Sequence, residues 1–448
     1  MDKANSGIRT QWAVRVAAAI CLAVVVIAPM AVGGFRPHWW LMFASVLFFA
    51  AAIVTYSLVR SNRHIRFLTH GAPGLAPLYL VFLTGLCLHV LLVGGAASDT
   101  DAIYGLIRQL SYAALGWTLL QALTRGQRAL DYATILVVGF LFYAVYGLIT
   151  IDRTEWLFFT RPAYDGVATG PFVNRNSFAT FLAMGMCLTL ASALADDTGV
   201  GRQHRSGHRA SPLEGRMRSL VLATVALLCL AAIFATASRM GLFVALVGAS
   251  LVVILRLRRI VGRTGLVGVV ALALVLLGGL SLIMVALLYG GAVAERLGST
   301  ADNASVRIDL YLNILDMIRA NPLLGVGLDN FGEAFRAYQR LPVSPDRDWH
   351  LAHNTYLALW SELGIVLGSL PIVLAGLVAL ALLRRSLSKI VTPVSHLSDA
   401  ALAAVVIVGL HSLLDFSLEM PANAYLFVAV IVLGLAPNSS GLSRGAKG

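Results

Sequence analysis

The chain has 448 residues, of which 58% are hydrophobic and 12% charged, and its mean hydropathy is +0.81. That balance excludes an ordinary soluble domain and predicts an all-α polytopic membrane protein. The formal charge of +12 lies mostly in short arginine-bearing stretches between apolar runs, which is a topology signal and not a nucleic-acid surface.

At about twenty apolar residues per crossing, the sequence predicts about twelve spans. They fall at 12–33, 39–59, 74–94, 104–123, 131–151, 173–195, 218–236, 240–256, 265–289, 351–383, 397–413 and 421–436. The first follows Lys3, Arg9 and Arg15, is long for a signal-peptide core and reads as an uncleaved span. The run at 351–383 is too long for one straight crossing and is expected to start outside the bilayer or to bend near Pro371. The organisation is therefore transmembrane helices 1–9 over 1–289, a loop domain over 290–350, transmembrane helices 10–12 over 351–436 and a tail over 437–448. Cys21, Cys87, Cys187 and Cys229 each lie inside an apolar run and read as core residues, not a disulfide framework.

Arginine placement sets the orientation. Arg60, Arg63 and Arg66, then Arg125 and Arg128, the group from Arg202 to Arg218, the group from Arg256 to Arg263, and Arg384 with Arg385 all fall in alternate loops. The other loops are poor in arginine and hold Asp99, Asp101, Asp415 and Glu419. By the positive-inside rule both termini face the cytoplasm and the 290–350 loop faces outward, into the periplasm of a bacterium with two membranes. The basic 198–217 loop reads as an orientation signal near anionic lipid, and the tail after Pro437 as disordered.

Within the outer loop, the segment from Ser305 predicts an amphipathic helix stopped at Pro322. LLGVGLDNF then makes a tight glycine turn before a short helix.

Three places on the outer side can carry chemistry. GPFVNRNSFATFL starts at Gly170 and puts Asn174, Arg175 and Asn176 at the start of a span, where helix N–H groups, two amides and a guanidinium make an anion site. Arg239 lies in a very short outer turn with no acid nearby in sequence, so it is either held by a partner or employed in function. HNTYLALWSELGIVLG starts at His353. It places a titratable ring and Asn354 at the mouth of a helix, with Tyr356, Trp360, Gly364 and Gly368 near the same face. The Gly364/Gly368 pair is expected to admit a neighbouring helix and so fix the height of the histidine. His350 and His353 form an HxxH pair, but no matching second set of ligands accompanies it. Arg307 and Arg336 are weaker candidates in the outer loop. Arg108 and Glu362 are the charges deepest in apolar runs.

GPFVNRNSFATFL, TASRMGLFVAL, NPLLGVGLDNF and AHNTYLALWSELGIVLG occur in the order found in the O-antigen ligase/O-antigen polymerase superfamily, and over roughly residues 165–370 the chain resembles its ligase branch most. His353, Asn354 and Gly364 match the most specific pattern. The chain departs from it at Leu367, where ligases often have a second glycine that here comes at Gly368. The resemblance implies a fold of the GT-C kind with one large helical periplasmic loop, in the bacterial inner membrane. It implies an integral-membrane glycosyltransferase that takes a glycan from undecaprenyl diphosphate and passes it to the lipid A-core acceptor of lipopolysaccharide on the periplasmic face, without nucleotide sugar or ATP.

The residue chemistry agrees. Arg175 and Arg239 are expected to hold the diphosphate, and His353 to take the proton of the acceptor hydroxyl. Asn174, Asn176 and Asn354 would support sugar or phosphate groups. The transfer would invert the anomeric centre and need no metal or other cofactor. Partners are the two lipid-linked glycans and the surrounding lipids, with no nucleic acid. An O-antigen polymerase or a protein O-oligosaccharyltransferase is the alternative within the superfamily, and a non-catalytic lipid or solute transporter the alternative outside it.

Overall fold

The structure is a computed structural model that describes residues 2–62, 74–93, 99–123, 126–151, 155–156, 159–160, 166–195, 212–261, 268, 293–344 and 348–437. In chain order its longer helices are α1 (Asp2–Ile27), α2 (Pro37–Arg60), α3 (Leu75–Val93), α4 (Asp99–Ala122), α5 (Gly126–Ile149), α6 (Arg175–Ala193), α7 (Pro212–Ala235) and α8 (Arg239–Val261). Then come α9 (Val293–Ala320), α10 (Phe331–Phe335), α11 (Thr355–Ser386), α12 (Ser395–His411) and α13 (Pro421–Gly434). A two-residue ribbon pairs Glu155–Trp156 with Phe159–Thr160.

The chain is an all-α polytopic membrane protein. Among the described residues, eight helices are long and apolar enough to cross a membrane, and Ser395–His411 and Pro421–Gly434 are shorter apolar helices. Helix α4 is as long as the others but more polar. The span expected at 265–289, most of the basic 198–217 loop and the end of the tail lie outside the described residues. Large apolar side chains such as Phe49 on α2, Leu91 on α3, Val138 on α5 and Leu220 on α7 face outward, as a hydrocarbon solvent allows. The four cysteines are free thiols, and Cys21, Cys187 and Cys229 are buried.

Helix α6 is the centre of the bundle. It is buried almost all round and packs on α5, α7, α8 and α12. Small residues let the backbones approach: a Cβ on Gly241 of α8 would meet Ala179 of α6 at 2.4 Å, and one on Gly248 would meet Cys187 at 2.8 Å.

The loop domain follows its predicted outline, with one extension. Helix α9 ends at Ala320 before Pro322, but it starts at Val293, well ahead of Ser305. Gly325 and Gly327 turn the chain with φ of 65° and 107° before α10.

Helix α11 corrects two expectations. It breaks at Gly364 (φ 73°, ψ 168°), not near Pro371, which sits within the helix beyond the break. Nor is the close neighbour of Gly364 another helix. A Cβ there would lie 2.1 Å from the Leu323 carbonyl oxygen, so the glycine admits the backbone of the turn after α9. Gly368 is close to the Leu359 carbonyl of its own helix across the break. The polar groups released by the break are filled by the turn: Ile365 N–H donates to Pro322 O (2.8 Å), Val326 N–H to Ser361 O (2.9 Å) and Gly327 N–H to Glu362 O (3.0 Å). Broken helices persist in membranes where protein supplies such partners.

Candidate functional site

The site forms where α6, α8 and α11 all begin, at one end of the bundle. Two of these starts use an asparagine cap. Asn174 Oδ1 accepts the N–H groups of Asn176 (2.6 Å) and Ser177 (3.4 Å). Asn354 Oδ1 accepts those of Tyr356 (3.0 Å) and Leu357 (3.0 Å). At α8 the Ser238 hydroxyl accepts the N–H of Gly241 (3.2 Å). The amide oxygens of Asn174 and Asn354 are thus occupied by helix caps, and the N–H groups of Asn176 and Ser177 in α6 are already bonded. The caps leave an anion at α6 fewer backbone N–H groups than the sequence reading expected.

The starts of α6 and α8 are tied together. Ser238 donates its hydroxyl to Asn176 Oδ1 at 2.8 Å, which makes Arg175 and Arg239 the first residues of neighbouring helices. Arg239 is exposed and Arg175 half-buried.

The link to α11 is the segment 412–420, between α12 and α13. On one side Thr180 of α6 donates to the Ser417 hydroxyl at 3.1 Å, and the Asn176 amide is near enough to favour the charged form of the Asp415 carboxyl. On the other side Ser412 O accepts the Thr355 N–H (2.9 Å) and Leu413 O accepts the Asn354 amide (2.9 Å). Phe416 stands edge-on to the His353 ring, with centroids 4.9 Å apart, and Trp349 takes the other flank at 5.6 Å. His353 adopts a left-handed φ of 53°, uncommon outside glycine although histidine enters that region more readily than most residues. Tyr311 of α9 holds that turn by donating its hydroxyl to His353 O at 2.9 Å.

The helix starts that carry Arg175 and Arg239 and the turn that carries His353 are therefore connected, through Asn176 with Ser238, Thr180 with Ser417, and Phe416. Arg307 joins them, since it donates to Leu414 O at 3.1 Å and its charge acts on Asp415. Arg336 does not. It is half exposed and paired with Glu333 (3.0 Å) and Asp348 (3.5 Å). The two histidines of the HxxH pair diverge: His350 lines the large cavity described next, while His353 faces Phe416. Among the described residues no three His, Cys, Asp or Glu side chains are grouped to hold a metal ion.

Sequence reasoning missed two acids in this segment. Asp415 is 2% exposed, and burial pushes its carboxyl up to about 6, against the Phe416 N–H hydrogen bond, the nearby Asn176 amide and the charge of Arg307. Burial likewise pushes Glu419 up to about 8, with Arg108 opposing. Their only signal in the sequence was their place in a short outer loop.

Behind the segment lies a cavity of about 760 Å³ between α2, α3, α4, α11 and α13, with Thr355, Leu418 and Glu419 in its wall. The two deep charges noted in the sequence meet there. Arg108 pairs with Asp329 at 2.6 Å, and Glu362 accepts the Asp329 N–H at 3.1 Å. The 412–420 segment thus has the cationic helix starts on one side and this cavity on the other.

No curated protein matches the chain. Residues 224–372 match the family model described as O-Antigen ligase. That stretch runs from α7 past the break in α11 and includes Arg239, Arg307 and His353, while Arg175 and Asp415 lie outside it. That match covers about a third of the chain and, together with the membrane helices, supports a likeness to the O-antigen ligase superfamily and to membrane glycosyltransferases of the ligase or polymerase type.

Proposed function

We propose that this protein is an O-antigen ligase, moving a glycan from undecaprenyl diphosphate to the lipid A-core acceptor on the periplasmic face of the bacterial inner membrane. Both termini then lie in the cytoplasm and the 290–350 loop in the periplasm. The observation that carries the reading is the 412–420 segment, which connects the starts of α6, α8 and α11 and so groups two helix-start arginines with His353.

In this mechanism Arg175 and Arg239 fork onto the diphosphate oxygens. His353 takes the proton from the acceptor hydroxyl, whose oxygen attacks the anomeric carbon from the side opposite the diphosphate. The bond from that carbon to the diphosphate oxygen breaks, the anomeric centre inverts, and the arginines stabilise the departing charge. No step uses a metal. The left-handed turn held by Tyr311 orients the imidazole, and Phe416 and Trp349 limit its rotation.

The test is reconstitution of the purified protein with undecaprenyl-diphosphate glycan and three separate acceptors: lipid A-core, a second lipid-linked glycan and a pilin-like protein. Glycosylation of lipid A-core is the expected result. Extension of the lipid-linked glycan would make the protein a polymerase, and modification of the pilin-like protein an oligosaccharyltransferase.

A further inference from the structure

The large cavity has a polar end that the mechanism above does not use. Apolar side chains such as Leu83, Leu86 and Val428 line most of it, while Arg108, Asp329, Glu362, Glu419 and Tyr112 gather in one part. Three carboxyl groups surround one guanidinium there, and that guanidinium is already bonded to Asp329 at 2.6 Å.

Two groups in this cluster point to a ligand. Tyr112 is 8% exposed, its hydroxyl lies among Arg108, Asp329 and Glu419, and that hydroxyl has no hydrogen-bond partner among the described residues. The same holds for Glu419 Oε1. A buried polar atom left in this way has lost its water without a replacement, so a ligand that satisfies both would gain accordingly. A phenol and a carboxyl side by side match a group that both donates and accepts, which a hydroxyl does and a phosphate does not. Since burial lifts Glu419 to about 8, it carries a proton at neutral pH and can serve a hydroxyl in either role. Asp329 and Glu362 add carboxyl groups that disfavour an anion.

We propose that this cavity binds an amphiphile with a hydroxylated, non-anionic head, its hydroxyls on Tyr112 and Glu419 and its apolar part along α3 and α13. The binding chemistry stands by itself and does not depend on the transferase function proposed above, whose phosphate-bearing acceptor is a different molecule.

The experiment uses the full-length protein in lipid nanodiscs and two photoreactive probes with the same diazirine-bearing alkyl chain, one headed by maltose and one by phosphate. Cross-linked peptides are mapped by mass spectrometry. The maltoside is expected to label α4 and α13 and the phosphate probe to leave them unlabelled. Tyr112→Phe and, separately, Glu419→Leu are expected to cut labelling about fivefold, the effect of one neutral hydrogen bond. Equal labelling by both probes, or full labelling of both variants, overturns the proposal. Should one variant fail to fold, the other decides. His353→Ala should label normally while losing transfer. Transfer without cavity labelling sinks the cavity alone; labelling without transfer to any acceptor leaves the cavity standing and removes the transferase reading.

Discussion

Arg239 and Arg259 occupy the two ends of α8, about 30 Å apart along its axis. Arg259 forks onto both oxygens of Asp399, at 2.5 and 2.6 Å, and reaches the Ser386 carbonyl at 3.4 Å. The side chains of that pair are 9% and 3% exposed. Arg239 is exposed and stands beside Arg175, at helix starts whose hydrogen bonds come from amides and hydroxyls. An arginine matched to a buried carboxylate joins helices and has no capacity left for a phosphate. An arginine at the open end of a helix faces out of the bundle, and in the proposed reaction its planar fork turns to the lipid diphosphate. The same residue type thus serves packing at one end of the bundle and, by the reading above, chemistry at the other.

The largest effect expected at the open end is that of His353→Ala. Removing a general base should lower turnover by about 10²–10⁴-fold with the melting temperature unchanged, measured by transfer assay and thermal unfolding of the same preparation. Normal transfer would remove His353 from the chemistry. At the closed end Arg259→Ala leaves Asp399 buried without its partner, and should cost about 3–5 kcal/mol of stability. The double variant Arg259→Met/Asp399→Leu should recover most of it. A stable Arg259→Ala would mean that the contrast between the two ends is not one of packing against function.

Arg175→Ala and Arg239→Ala should each reduce turnover by about 10²-fold, the scale of losing a donor to developing charge, with lysine rescuing only in part because it lacks the fork. Stability should hold, in contrast to Arg259→Ala.

A pH-dependent effect follows from Asp415. Its carboxyl is raised from the ordinary 3.8 to about 6, so between these values the folded protein binds more protons than the unfolded chain. This group therefore favours folding below about pH 4, and that contribution is lost as pH rises to about 6. In melting curves across pH, Asp415→Asn should flatten the fall in stability over that window, which for this shift amounts to about 3 kcal/mol. Unchanged curves would show that Asp415 is charged in the fold.

Much of this was readable in the chain because membrane spans are written as apolar runs and their ends as polar residues. Arg175, Arg239 and His353 stand at such ends, and the structure joins them. Pro322 stops α9 as expected, since proline acts locally. The break at Gly364 was not readable. Pro371 is the stronger local signal, whereas the role of Gly364 depends on the Leu323 carbonyl, which only the folded turn brings near. The extension of α9 back to Val293 was missed because its first turns are polar. Asn174 and Asn354 were read as ligands for sugar or phosphate; their caps are equally written in the NRNS and HNTY stretches. Asp415 and Glu419 were read only as outer-loop acids because their burial comes from helices far away in sequence.

Arg336 gives the smallest expected effect and the cleanest control. The sequence placed it beside Arg307 as a weaker donor-binding candidate, with equal charge and the same outer loop. In the structure Arg307 bonds the 412–420 segment, whereas Arg336 is half exposed between two acids in water. Exposed pairs of that kind contribute about 0–1 kcal/mol, and its charge is offset locally before it could act on a distant diphosphate. Arg336→Ala should therefore change turnover less than about twofold and leave the melting temperature within error. Arg307→Ala should lower turnover more than Arg336→Ala, through the displaced Leu414 carbonyl and the altered field at Asp415. If the two variants behave alike, outer-loop charge acts only as a diffuse field, and the specific join between α9 and the 412–420 segment has no part in transfer.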